Sequence, residues 1–206
     1  MTATTVFVFL CASAALTIAP GPDNIFVLTQ GITRGRKQAM VTALGMCSGV
    51  SVHTAMAAFG ISAIFYSSVL AFNIVKYAGA VYLLYLAYKT LKARSAIHLA
   101  EPVDLSAGAL FKRGFIMNVL NPKVAMFFLA FLPQFVAPGS EHFALQMLLL
   151  GFVFMLQAIM IFCLIGYFAG GIGQFILSRP TIAKYFDWLT AGVFASLGIH
   201  LALAER

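Results

Sequence analysis

The 206-residue sequence is 62% apolar and 9% charged, against roughly 25% charged residues in an ordinary soluble domain, which excludes a water-soluble globule. One membrane span takes about 20 apolar residues, so six or seven spans fill the chain and leave no room for an extramembrane domain. The 13 Lys+Arg against 6 Asp+Glu give a net charge of +7; in a membrane chain this first asks where the cations sit, and nucleic acid is not the expected partner.

Apolar, charge-poor stretches predict six helical spans, near residues 4–33, 39–65, 70–91, 112–136, 144–170 and 184–204. They lack period-two alternation, which argues against a lipid-facing β-barrel. Met1 to Thr5 carry no basic residue and no lipid-attachment pattern leads into Cys11, so the first stretch is expected to be a mature span. Cys11, Cys47 and Cys163 lie far apart in apolar runs, without metal-ligand spacing, and are expected to be small core residues. No metal site and no cofactor is expected.

The first stretch contains Ala19-Pro20-Gly21-Pro22-Asp23-Asn24 near its middle. Each proline removes a backbone donor and displaces a carbonyl, so the helix breaks there. A second half-helix is expected to restart with Gly21 as cap, Pro22 in the first helical position, and Asp23 and Asn24 in the first turn, at the positive end of its dipole. The second stretch places His53 near mid-depth, either as a proton-exchanging group or as a neutral histidine bonded to a neighbouring helix. Its Gly45 and Gly49, like Gly166 and Gly170 in the fifth stretch, have the small-xxx-small spacing of close helix packing. In the third, Lys76 near one end is expected to be an anchor that snorkels to the interface.

Ser95 to Leu110, with Glu101, Pro102 and Asp104, form the longest loop. In the fourth stretch Asn121-Pro122-Lys123 has the pattern of a helix start, with asparagine as N-cap and proline next, so a second break is expected. Thr29, Gln30, Asn118, Gln134 and Gln157 are the other polar residues expected to line a path or join helices. In the sixth stretch Asp187 and Lys184 are expected as a solvated pair, with Tyr185 and Trp188 in the interfacial belt.

Six spans put both termini on one side, and ten of the thirteen cations then fall on the other: Arg34, Arg36, Lys37, Lys89, Lys92, Arg94, Lys112, Arg113, Arg179 and Lys184. By the positive-inside rule that side is cytoplasmic and the termini periplasmic. The fold expected is an all-α integral membrane protein, one transmembrane domain over 1–206. Two inverted three-helix repeats, 1–94 and 111–206, are joined by the cytoplasmic loop 95–110, and the first helix of each is broken by proline. Ala78-Gly79-Ala80-Val81-Tyr82 faintly echoes Ala191-Gly192-Val193-Phe194. Breaks at corresponding places in two halves are a pointer to a transporter's binding site. Pro22 and Pro122 both lie about 15–18 Å from the cytoplasmic face, near mid-bilayer.

Two half-helix N-termini offer donors to an anion, and Asp23 and Lys123 add one charge of each sign, a set that fits a zwitterionic amino acid. The same two residues could instead form a structural ion pair between the halves. The candidate binding and coupling residues are Asp23, Asn24, Asn121, Lys123 and His53, with Pro20, Gly21, Pro22 and Pro122 as the helix breaks.

Pro20-Gly21-Pro22-Asp23-Asn24, Gly31-Ile32-Thr33-Arg34-Gly35, Gly79 to Leu86, and Phe111-Lys112-Arg113-Gly114-Phe115 through Asn121-Pro122-Lys123 to Phe131-Leu132-Pro133-Gln134-Phe135 resemble the LysE/RhtB family of bacterial amino-acid exporters. The resemblance covers nearly the whole chain. It implies no enzymatic activity, but secondary active, proton-driven efflux of amino acids or close derivatives across the bacterial inner membrane. The expected partners are a small amino-acid substrate, protons and the bilayer, and so small a unit could also pair as a homodimer. The alternative is a divalent-cation exporter of a related inverted-repeat family. Asp23 is the single acid near mid-membrane, however, and hard cations want several oxygen ligands. A thiol–disulfide carrier would want a cysteine in each broken helix, and the fourth stretch has none.

Overall fold

The computed structural model describes residues 2–19, 21–61, 69–92, 105–136, 140–170 and 180–203. Pro20, Arg94, Glu101, Pro102, Asp104, Arg179 and Arg206 lie outside these residues. Every described element is helical. In chain order they are α1 (Ala3–Ile18), α2 (Pro22–Arg34), α3 (Arg36–Ala55), α4 (Val69–Lys92), α5 (Ala107–Val119), α6 (Pro122–Met126), α7 (Phe143–Phe168) and α8 (Pro180–Leu203).

Local chemistry sets the boundaries. Gly35, at φ 88°, makes the turn between α2 and α3 in a backbone region that favours glycine. α5 starts five residues before the fourth predicted stretch, because the Ser106 hydroxyl caps it by accepting from the Ala109 amide at 3.3 Å. Two features have no counterpart in the sequence reading. α3 runs on into a π-helical turn, Met56–Ile61, and α6 into another, Phe127–Phe131, followed by a 3-10 turn at Leu132–Phe135.

α3 with its π turn (25 residues, Arg36–Gly60) and α7 (26 residues) are each long and apolar enough to cross a membrane alone. α1 and α2, bent by 60°, and α5 with Pro122–Phe135, bent by 47°, pass the same test when each bent pair is one span. α4 and α8, 24 residues each, pack along one another. On α7, Leu145, Leu149, Phe152, Leu156, Met160 and Leu164 are exposed along one helical stripe, a face suited to lipid.

α3 is the hub, packed on α5, α7 and α2. It meets α5 backbone to backbone: the Cα of Gly45 lies against the Phe111 carbonyl, and a Cβ on Gly114 would come 2.6 Å from the Thr42 carbonyl oxygen. Gly166 packs on Ala39, while a Cβ on Gly170 would meet nothing within 4 Å among the described residues. Lys76 is buried, its Nζ 4.5 Å from the centre of the Tyr77 ring. Cys47 is buried and Cys163 half-buried, but Cys11 faces outward.

Candidate functional site

A helix that ends inside a membrane leaves its last carbonyls without intrahelical partners and its C-terminus partially negative. At the end of α1 those carbonyls are satisfied almost one by one. Ala15 O accepts from the Ala19 amide at 2.9 Å. Leu16 O and Ala19 O both accept from Lys123 Nζ, at 3.1 and 3.0 Å. Asn24 Nδ2 donates to Thr17 O at 2.8 Å and, at 3.5 Å, to Ile18 O. Residues from both breaks therefore cap the first half-helix, with a cation at the negative end of its dipole.

Lys123 is delivered there by the second break. The Asn121 side chain accepts from the Lys123 amide at 3.0 Å, and Pro122 fills the first turn, where its missing N–H matters least. Opposite, Gly21 is the N-cap of α2, which has no side-chain cap of its own. A Cβ on Gly21 would lie 3.2 Å from Lys123 Nζ, so glycine leaves the ammonium its room.

Asp23, in the first turn of α2, is 2% exposed. Its Oδ2 accepts from Asn118 Nδ2 at 3.3 Å, while its Oδ1 has no partner. Asn118, 3% exposed, has a second oxygen, Oδ1, likewise without a partner. The backbone carbonyl of Asn118 lies 3.0 Å from His53 Nε2; a carbonyl accepts, so Nε2 is assigned the proton. Asp23, Asn118 and His53 thus form a chain from α2 through the end of α5 to α3. Asp23 and Lys123 line one cavity without bonding to each other.

The polar wall of that cavity is Thr17, Asp23, Asn118 and Lys123; Leu16, Val50, Phe154 and Phe162 supply most of the apolar wall, and Cys47 also faces it. At about 10 Å³ it holds roughly one water, so an amino acid enters only after the walls part. Phe154 continues into an aromatic cluster with Phe128 (ring centres 5.0 Å apart) and Phe127 (5.6 Å), and Phe127 in turn packs on Phe131 at 5.1 Å. Phe127, Phe128 and Phe131 all sit on the π-helical turn after α6. π turns tend to occur at functional places in helices.

The structure joins Asp23, Asn24, Asn121, Lys123 and His53 in one network at the breaks, where Gly21, Pro22 and Pro122 also lie. Three further residues belong to it: Asn118 and Gln157, which the sequence placed only among several residues that line a path or join helices, and Thr17, which it did not mark. Asn118 bridges Asp23 and His53. Thr17 Oγ1 accepts from Gln157 Nε2 at 2.9 Å and donates to Ser13 O at 2.8 Å, which ties α7 to the end of α1. The available signal for Asn118 was its place one turn before the Asn-Pro start. Among the described residues no three His, Cys, Asp or Glu side chains gather as metal ligands.

A family model described as "LysE type translocator" matches residues 14–205. The chain is 36% identical over 146 residues to the homoserine/homoserine lactone efflux protein of Salmonella typhimurium, covering 70% of each chain, and equally so to that of Salmonella typhi. It is 29% identical over 201 residues, 96% of each chain, to an uncharacterized membrane protein of Vibrio cholerae. No solved structure matches.

Proposed function

The chain belongs to the LysE type translocator family, and we propose that it exports an amino acid or a close derivative from the cytoplasm across the bacterial inner membrane. Homoserine and homoserine lactone, for which two relatives are named, are the first candidate substrates. The observation that carries this reading is the cavity where two broken helices meet, with a buried carboxylate that keeps one oxygen unpartnered. An ion or solute passing mid-membrane needs irregular backbone and polar groups of this kind, and they are tolerated only in a protein interior or a watery path.

Within the proposal the five site residues have different parts. Asp23 takes the amine of the substrate or, in its absence, a proton. Lys123 and Asn24 hold the end of α1, and the remaining N–H of Lys123 is available to a substrate carboxylate. Asn121 sets the start of α6. His53, linked to Asp23 through Asn118, belongs to the coupling path. Export is driven by the proton gradient and proceeds by alternating access, through rocking of two inverted three-span halves. The packing of α3 on α7 and of α4 on α8 supports this reading, because these are the pairs that a two-fold relation between the halves maps onto themselves. The basic residues on one side support cytoplasmic loops and periplasmic termini. A homodimer completes the proposal and is checked by mass measurement in detergent.

The test is purified protein in liposomes with an imposed proton gradient and labelled homoserine. Gradient-dependent accumulation is expected, and its absence for every amino acid and for the lactone overturns the proposal. Tolerance of a deletion strain to divalent metals, rescued by the protein, would favour cation export instead.

A further inference from the structure

We propose that α2 is the cytoplasmic gate of the site, latched shut on α5 by Arg34 and Arg113, and that substrate enters where these two helices part. This rests on the exporter reading above and on its orientation, and adds the route by which the solute reaches the cavity.

The contacts between α2 and α5 fall in one antiparallel ladder. At the inner end Asp23 Oδ2 accepts from Asn118 Nδ2 at 3.3 Å. Farther along, the Arg113 guanidinium lies 5.0 Å from the centre of the Phe26 ring. At the basic end Arg34 Nη1 donates to the Leu105 carbonyl at 2.9 Å, one residue before the cap of α5. From Asp23 to Arg34 is about 16 Å of helix, half of a roughly 30 Å bilayer core. The seam is shut: the cavity wall reaches only Asp23 on α2 and Asn118 on α5, and beyond it Phe26, Val27, Gln30 and, on α5, Leu110 are buried.

The packing distinguishes the helix that moves. α5 is fixed to α3 by backbone contacts: a Cβ on Gly114 would come 2.6 Å from the Thr42 carbonyl oxygen, and one on Gly49 would come 3.0 Å from the Phe115 carbonyl oxygen. α2 is freer. It begins at a helix break and ends at the Gly35 turn, and such terminal residues are where a hinge absorbs its rotation. At Gly31 it rests on Ala39, Gly166 and Ala169, small residues with no long side chain to disengage when α2 slides. Beyond the cavity, by contrast, it is tied to α5 by two arginines, Arg113 exposed and Arg34 half-buried. There, water can take the place of a carbonyl or a ring at small cost. On α2 between these two contacts, Thr29 Oγ1 and Gln30 Oε1 are buried without a partner among the described residues. A motion that admits water to them recovers the cost of leaving them unpaired. The closed form is thus held by contacts that exchange readily with water, and it contains polar atoms that gain partners on opening.

The experiment uses Cys47, which lines the cavity, as the reporter. In the full chain carrying Cys11→Ser and Cys163→Ala it is the one remaining thiol. Its modification by a membrane-impermeant trimethylammonium methanethiosulfonate is timed in inside-out and right-side-out vesicles. Arg34→Met/Arg113→Leu is expected to speed labelling from the cytoplasmic face at least fivefold and to leave labelling from the other face within about twofold. Lys37→Met, which removes a cation from an exposed neighbour, is expected to change neither rate. Unchanged cytoplasmic labelling, an equal gain from both faces, or the same gain in the Lys37 variant overturns the latch. A second measurement does not depend on the double variant folding. In the chain with Cys47→Ala added, Arg34→Cys and Leu105→Cys are bridged by a short bis-methanethiosulfonate, and homoserine export is followed before and after reduction. Bridging is expected to lower export at least tenfold and reduction to restore it; export that persists in fully bridged protein overturns the gate. These failures leave homoserine accumulation by the wild type, and with it the exporter reading, standing. Protein that labels as expected yet moves no amino acid and no lactone fails the exporter reading and keeps the gate.

Discussion

Lys123 and Ala19 stand on opposite sides of the two breaks, and Lys123 Nζ donates to the Ala19 carbonyl at 3.0 Å while also reaching Leu16 O at 3.1 Å. A lysine in the second broken segment is therefore the C-terminal cap of the first. A cation at that position opposes the negative end of the α1 dipole and supplies donors to carbonyls that no water in the bilayer core would reach. The two breaks are mechanically one object, and a ligand that draws Lys123 toward itself loosens the end of α1.

Lys123→Met keeps the volume and removes the donors. Two buried carbonyls lose their partner, at about 1–3 kcal/mol each by the usual range for such groups, with membrane hydrogen bonds at the low end of it. The expected outcome is a clearly lower apparent melting temperature in detergent and loss of export. A variant that melts like wild type would show that the cap contributes nothing to holding α1.

Asp23→Asn retains an oxygen able to accept from Asn118 Nδ2 and removes the charge. Membrane insertion and folding are expected to be unchanged. Accumulation driven by a proton gradient is expected to fall to background. Gradient-driven export at the wild-type rate would take Asp23 out of the coupling path.

Gly45→Val drives a branched side chain into the Phe111 carbonyl, where there is no space even for a Cβ. Backbone cannot move aside as a flexible side chain does, so α3 and α5 must separate. Overpacking of this kind costs about 1–3 kcal/mol. Separation also shifts Asn118, which is carried by α5. Reduced thermal stability together with reduced export is expected; Gly60→Ala, where no described residue lies within 4 Å of the added carbon, is the control that should change neither.

The breaks were legible from a few residues because proline and its neighbours act locally: Gly21-Pro22 and Asn121-Pro122 each carry their own reason to stop and restart a helix. The partners of the charged groups were not legible. Lys123 bonds to a carbonyl 107 residues earlier in the chain, and no spacing rule reaches that far. Its sign and that of Asp23 suggested either an ion pair or two ends of a zwitterion receptor, whereas the structure gives most of the lysine to backbone. Asn118 could be named only as one of several residues expected to line a path or join helices, since an asparagine in an apolar helix declares only that it wants partners. The π turns at Met56–Ile61 and Phe127–Phe131 leave no mark in hydropathy, because they change backbone bonding without changing which residues are apolar. Cys11 and Cys47 read alike in sequence, yet one faces outward and the other faces the cavity.

His53→Gln separates holding from proton exchange. Glutamine can present an N–H to the Asn118 carbonyl, which His53 Nε2 now meets at 3.0 Å, but it does not exchange protons near neutrality as histidine does. If His53 only ties α3 to the end of α5, the variant should melt and export as wild type does. The chain Asp23–Asn118–His53 leads us to expect a different result: a melting temperature within a few degrees of wild type, unchanged exchange of homoserine across the membrane at zero gradient, and a severalfold slower response to an imposed proton gradient. Exchange isolates substrate binding and conformational cycling from coupling, so a defect confined to the gradient-driven rate assigns His53 to the proton path. A defect in exchange as large as the one in driven export would make it a structural tie that glutamine fails to replace.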